Sequence, residues 1–478
     1  MLDATEVDCH QQILFPMLKE SIKKDESFMV TSSGGKLYDY LSPDLYERGY
    51  KVIYMDFSDS NSDWQWNPLQ YPYKLYRKGD FDSSYELISM LASVIMGRDT
   101  KIDKVDPFWA NAAAELFEAL VLSLYKIAEP QEIHLLSVLD MAIEGSKGGN
   151  FRGALQDYFN LEQCSEFYKR AATYLNASSD TRGSIISVFI QGLSSVCGNS
   201  LLGRHLINDT INLQRIPDNK TAIIVNISEA SSYTTLIGTL VTQIYHIILR
   251  NSESRLSKKR RFAFYLDRFL SLGRISQIER ILSFSLDCKT RFVLFADSIS
   301  MLENVYSSDY GKVIREYCAR WIIYPTRNLK ILEELNSILD TYAGDKKEKL
   351  LNELRNNKPI VIDEDQRISP YTSLNGNMFT IRESNNKRNN FIPQEPAIFS
   401  IVEYTRKQKK HDLFEGLNSK DFPLMPLDSD DNKQLEESPT ESDVNDIIRK
   451  IDERIMQLEE EEKKEIEKMQ ADKSDNDA

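Results

Sequence analysis

Cysteine, glycine, proline and long apolar runs are all scarce in this chain of 478 residues, and each scarcity closes off a class of protein. The five cysteines (Cys9, Cys164, Cys197, Cys288 and Cys318) are odd in number, far apart and never in a C-x-x-C pair. That excludes a disulfide framework and a zinc site of paired cysteines, and it suits a reducing cytoplasm. With 19 Gly and 15 Pro, the chain is neither collagenous nor wholly disordered. No apolar run approaches the ~18 residues of a membrane span. The N-terminus carries Asp3, Glu6 and Asp8, not the basic start of a secretion signal. The expectation is a cytoplasmic protein that meets the inner face of a membrane only through partners.

Excess positive charge is also missing. The formal charge is -14, yet residues 421–478 hold 20 acids and 8 bases, which leaves 53 acids against 51 bases in the rest. A nearly neutral body has no uniform basic field for gripping nucleic acid, and the acidic tail repels phosphate or imitates it toward a basic partner.

What is present is 41% apolar and 10% aromatic residues, enough for a large folded core. Short β-branched and aromatic runs recur at residues 27–31, 50–55, 221–227, 262–266, 291–296 and 320–324. They are too continuously apolar for one-sided strands and read as buried parallel ones. Amphipathic stretches at 231–249 and 271–286 alternate with them, the pattern of an α/β sheet.

Residues 83–205 break the alternation. Only helical periodicity appears there, in Leu87, Met90, Leu91 and Val94, in Leu116, Leu120, Leu124 and Ile127, and in Ile185, Val188, Phe189 and Leu193. The reading is an α/β domain in two parts, 1–82 and 206–355, with an all-α domain inserted at 83–205. A polar extension and linker follow at 356–443, and a short amphipathic helix at 444–470 lies in the acidic tail. Its seam, Val444, Ile448, Ile451, Ile455 and Leu458, spans about two heptads.

Several words then carry a resemblance. Leu14-Phe15-Pro16-Met17-Leu18, Ser27-Phe28-Met29-Val30-Thr31, Gly49-Tyr50-Lys51-Val52, Trp66-Asn67-Pro68-Leu69, Asp106-Pro107-Phe108-Trp109 and the strand at 262–267 with Leu272-Gly273 occur in one order. Over residues 3 to 325 the chain resembles the coupling proteins of type IV secretion systems, the TraG/TraD-like conjugative DNA-transfer ATPases. The resemblance implies a RecA-like P-loop NTPase-type parallel sheet, an inserted all-α domain for substrate recognition, and ATP with Mg²⁺ in the family's active members. It implies as partners a conjugation relaxase or secreted protein, and an active coupling ATPase or secretion channel proteins in a hetero-oligomer.

The departures from the family pattern point away from catalysis. A P-loop needs glycines whose N–H groups wrap the phosphates, a Lys for the outer phosphates and a hydroxyl for the metal. The corresponding positions hold Asp3, Glu6 and Asp8 for glycine, Cys9 for lysine and His10 for the hydroxyl residue. Each carboxylate costs on the order of 1 kcal/mol against a phosphate charge even in water. The Asp-Pro-Lys-Gly-Glu word after the next strand is Ser32-Ser33-Gly34-Gly35-Lys36 here. The Walker B acid Asp267 remains, but the catalytic glutamate is Arg268, which cannot accept a proton. The sensor glutamine falls on Asp297 and an upstream arginine on Leu286.

The reading is therefore a pseudo-ATPase: no hydrolysis, no bound cofactor, no metal, and an adaptor role in binding a substrate or partner. A functional DNA-translocating motor and a remnant of a mobile element are the alternatives. Asp8, Cys9 and His10 are consecutive and do not converge on a metal. Lys258-Lys259-Arg260-Arg261 is a solvated loop or a nucleic-acid contact, and Arg268 either forms a local salt bridge or reaches a neighbour's nucleotide.

Overall fold

The structure is a computed structural model. It describes residues 13–33, 35–57, 63–98, 106–147, 153–161, 165–198, 203–227, 234–253, 260–324, 329–342, 347–355, 359–362, 368–370 and 396–408. All belong to a compact unit spanning Met1–Lys409; Lys410–Ala478 is a second unit.

Five strands, β1 (Ser27–Ser33), β2 (Lys51–Asp56), β3 (Thr221–Ile227), β4 (Phe262–Leu266) and β5 (Thr290–Leu294), form one sheet in the order β2-β3-β1-β4-β5. Every pairing is parallel. Strand alternation divides the side chains between two cores. Phe28, Val30, Ala222, Ile224, Ala263 and Tyr265 point to one face, where helices Phe15–Lys23 and Lys36–Glu47 cover them with Leu18, Ile22, Leu37, Leu41 and Leu45. Met29, Met55, Ile223, Val225, Phe264 and Leu266 point to the other face and enter the main core. The three central strands β1, β3 and β4 are buried on both faces, which is why their interiors are largely apolar.

Between β2 and β3 the regular elements among the described residues are all helices. The main helices are Gln70–Arg77, Phe81–Met96, Pro107–Ile127, Leu135–Ser146 and Ser179–Cys197. Their apolar faces do not close on themselves. Leu87, Leu116, Leu120 and Phe189 share one continuous core with Val225, Leu240 and Leu266.

The words Asn-Pro-Leu and Asp-Pro-Phe-Trp have structural reasons. Asn67 is 2% exposed; its Nδ2 donates to the carbonyls of Ile133 (2.6 Å) and Ile207 (2.8 Å), and its Oδ1 accepts from the Leu69 amide (3.0 Å). Trp66 Nε1 donates to Gln243, whose Nε2 donates to the Pro68 carbonyl. Asp106 caps helix Pro107–Ile127, its carboxylate accepting from the Phe108 amide at 2.9 Å, with Pro107 in the first turn. A proline suits that position because it lacks an N–H that would have no helical partner there.

Three expectations are corrected. The run at 320–324 is not a buried parallel strand. Strand β6 (Trp321–Ile323) is half-exposed and pairs antiparallel with β7 (Ile360–Ile362), which pairs with β8 (Ile368–Pro370) in a separate small sheet. A three-residue run cannot reveal its sheet, since only pairing partners decide direction. These two strands and residues 396–408 also give order to parts of the stretch read as polar extension. The amphipathic stretch at 271–286 is a helix only over Ile278–Ser283. Gly273 (φ +74°) lies so close to helix Thr234–Glu253 that a Cβ there would come within 2.9 Å of Thr235 Cα, and Gln277 (φ +55°) breaks the helix again. The tail seam from Val444 to Leu458 lies outside the described residues.

Candidate functional site at the carboxyl ends of the strands

Parallel α/β sheets bind ligands beyond the carboxyl ends of their strands, where loops leave the sheet. Two polar groups occupy that edge.

The first stands at the end of β4, inside the sheet. Asp267 is 3% exposed; its Oδ1 accepts from the Arg268 amide (3.0 Å), and its carbonyl accepts from the Thr31 hydroxyl on β1 (2.9 Å). Arg268 is left-handed (φ +50°) and starts the turn Phe269–Ser271, where the buried Phe269 donates its amide to the Phe295 carbonyl beyond β5. The acid is thus fixed between neighbouring strands, and the next side chain carries a fixed positive charge with five donors and no acceptor.

The second group joins β2, β3 and the loop after β1. Asp56 is 4% exposed and accepts from Asn226 Nδ2 (2.8 Å) and the Tyr54 hydroxyl (2.7 Å). Asn226 Oδ1 accepts from the Gly35 amide (2.9 Å). Gly35 is left-handed (φ +71°), as glycine allows at low cost, and it leads into helix Lys36–Glu47, which has no side-chain N-cap. Sequence reasoning passed over Tyr54, Asp56 and Asn226. The available signal was a polar residue ending each of two otherwise apolar strands at paired register positions, Asp56 opposite Asn226.

Among the other expected residues, Ser32 is buried and Ser33 half-buried at the end of β1, while Lys36 and Asp297 are exposed. Leu286 is 85% exposed in the turn before β5, at the amino ends of the strands and so away from Asp267. Asp3, Glu6, Asp8, Cys9, His10, Gly34, Lys258 and Lys259 lie outside the described residues. Arg260 and Arg261 also stand at the amino ends, where Arg260 donates to the Asp25 carbonyl (3.2 Å) and Arg261 approaches Glu26 (3.9 Å). Cys197 and Cys288 are buried, and burial pushes the thiol of Cys197 up to about 12 and that of Cys318 up to about 11, as packing residues would be. Cys9 and Cys164 lie outside the described residues. No described helix is long and apolar enough to cross a membrane.

A parallel sheet between two helical layers, with a helical stretch between its second and third strands, defines the class of this protein. The model of the family described as Type IV secretory system Conjugative DNA transfer matches residues 20–338, and the chain belongs to that family. Similar solved structures include the bacterial conjugative coupling protein TrwBdeltaN70 in its unbound monoclinic form: 13% identity, covering 76% of this chain and 74% of that one, TM-score 0.49. The plasmid coupling protein TrwB in complex with ADP and Mg²⁺ is 14% identical, covering 73% and 79%, with TM-score 0.44. VirB4 of Thermoanaerobacter pseudethanolicus is 10% identical, covering 73% and 90%, with TM-score 0.39. No curated protein matches.

Proposed function

We propose that this chain serves conjugative DNA transfer by binding and not by hydrolysis: an adaptor that holds a relaxase or secreted protein, or docks beside an active coupling ATPase. The observation that carries the reading is the Asp267–Arg268 pair at the end of β4. TrwB is known with ADP and Mg²⁺. A comparable site here would set a guanidinium where a carboxylate has to take a proton from the attacking water. It would also have Asp3, Glu6 and Asp8 at the phosphate positions and Cys9 where the lysine belongs. These residues do not fit a magnesium nucleotide, so no catalytic step is assigned to one. The strand interiors, Asn67 and Asp106 keep their packing and hydrogen bonds, which supports retention of the fold for another use.

Two measurements test this. In a titration of the full chain with a fluorescent ATP analogue and Mg²⁺, the expected result is no saturation; binding tighter than about 100 μM, some 5.5 kcal/mol, overturns the pseudo-ATPase reading. In a pull-down, the full chain is expected to retain a relaxase or secreted protein of its own conjugation system. Failure to do so, while an active coupling ATPase retains the same protein in parallel, leaves a remnant without function.

A further inference from the structure

Residues 396–408 complete the helical layer from a distant part of the chain. Phe399 (5% exposed) and Ile401 (0%) are buried in the main core. The Tyr404 ring lies 5.9 Å from both Phe399 and Tyr158. Ile401 sits against Gly145, where a Cβ would come within 3.2 Å of its Cγ2.

The polar part of this contact runs through one histidine. His134 is fully buried and caps helix Leu135–Ser146. Its Nδ1 lies 3.2 Å from the Ser137 amide and must accept, because an amide only donates. The proton of the neutral ring therefore sits on Nε2, which donates to the Ala397 carbonyl at 3.1 Å. Ser137 closes the circuit, its hydroxyl accepting from the Phe399 amide at 3.1 Å. A second ring proton would set N–H against N–H at the helix start and put a charge where no water reaches.

We propose that residues 396–408 are a proton-coupled latch, held on helix Leu135–Ser146 by neutral His134 and released when the ring becomes cationic. Charged residues stand on the elements around it: Glu129 and Glu132 on the preceding turn, Asp140 and Glu144 on the helix, Glu403, Arg406 and Lys407 on the segment, and, on the helices packed against Leu135–Ser146, Glu115, Glu118 and Lys126 of Pro107–Ile127, Asp157 of Ala154–Leu161, and Asp180 and Arg182 of Ser179–Cys197. Burial lowers its proton affinity, and two backbone hydrogen bonds oppose that. With the latched value below the ordinary ~6.5, the latch is fully effective above the ordinary value and weakens as pH falls through the latched one.

The test is hydrogen exchange of the full chain between pH 8 and 5, read as protection factors for residues 396–408 with β3 as internal reference. Wild-type protection of the segment should stay level above the ordinary ~6.5 and fall by up to roughly tenfold per pH unit below it, while β3 stays protected. His134→Asn keeps an acceptor for the Ser137 amide but does not titrate, so its segment should be less protected at pH 8 and show no pH dependence. Phe399→Ala, which weakens the apolar grip, should move the release to higher pH. Segment protection that is flat with pH in wild type overturns the latch, as does an unchanged pH dependence in His134→Asn or an unmoved midpoint in Phe399→Ala.

Discussion

Asn67 shows how much one side chain can carry. It satisfies two carbonyls from distant stretches and one local amide, and no water reaches it to replace them. Truncation leaves three buried groups unpaired, at about 1 kcal/mol or more each. Asn67→Ala should therefore lower unfolding stability by about 3 kcal/mol, measured as the urea midpoint at constant slope. A loss below about 1 kcal/mol would show that the Ile133 and Ile207 segments are held mainly by their apolar contacts. Asp267 stands in a similar position, held by the Arg268 amide and offering its carbonyl to Thr31. These are supports that a fold keeps whether or not chemistry takes place beside them.

Among the elements, helix Pro107–Ile127 starts where its sequence says it should. Asp106 supplies the cap, Pro107 suits the first turn, and Leu116, Leu120 and Leu124 are all fully buried. Asp106→Ala should cost about 1 kcal/mol, because the cap faces solvent and water takes over part of its role; thermal melting of the full chain checks this. An effect above about 2 kcal/mol would mean that the carboxylate holds more than the start of this helix. The central strands of the large sheet were legible for a related reason: a strand covered on both faces is apolar through most of its interior. The break at Gly273 and Gln277 was not legible, because the apolar pattern continues through it and only the approach of helix Thr234–Glu253 forces the turn. Half of the candidate site was hidden in the same way. Asp267 and Arg268 stood out against a family pattern, whereas Tyr54, Asp56 and Asn226 become a group only when β2 and β3 pair.

For the molecule as a whole, the question is whether the helical stretch can act as a separate domain. Its apolar residues do not form a core of their own: Leu87, Leu116 and Phe189 are continuous with Val225 and Leu266 of the sheet and with Phe399 and Ile401 of the late segment. Polar ties cross the same boundary. Asn67 reaches Ile133, His205 Nδ1 meets the Trp64 carbonyl at 2.6 Å under a stacked pair of rings, and Arg280 pairs with Glu86 at 3.2 Å. Excision would expose the faces of helices Phe81–Met96 and Pro107–Ile127 that the sheet layer covers, and buried apolar area is the main source of stability. A fragment of residues 83–205 should therefore be helical by far-ultraviolet circular dichroism yet melt without a cooperative transition, and it should retain partner proteins poorly where the full chain retains them. A sharp two-state melt of the fragment, with dispersed amide resonances, would instead show that the helices can close a core alone and that the continuity with the sheet is contact between two finished domains.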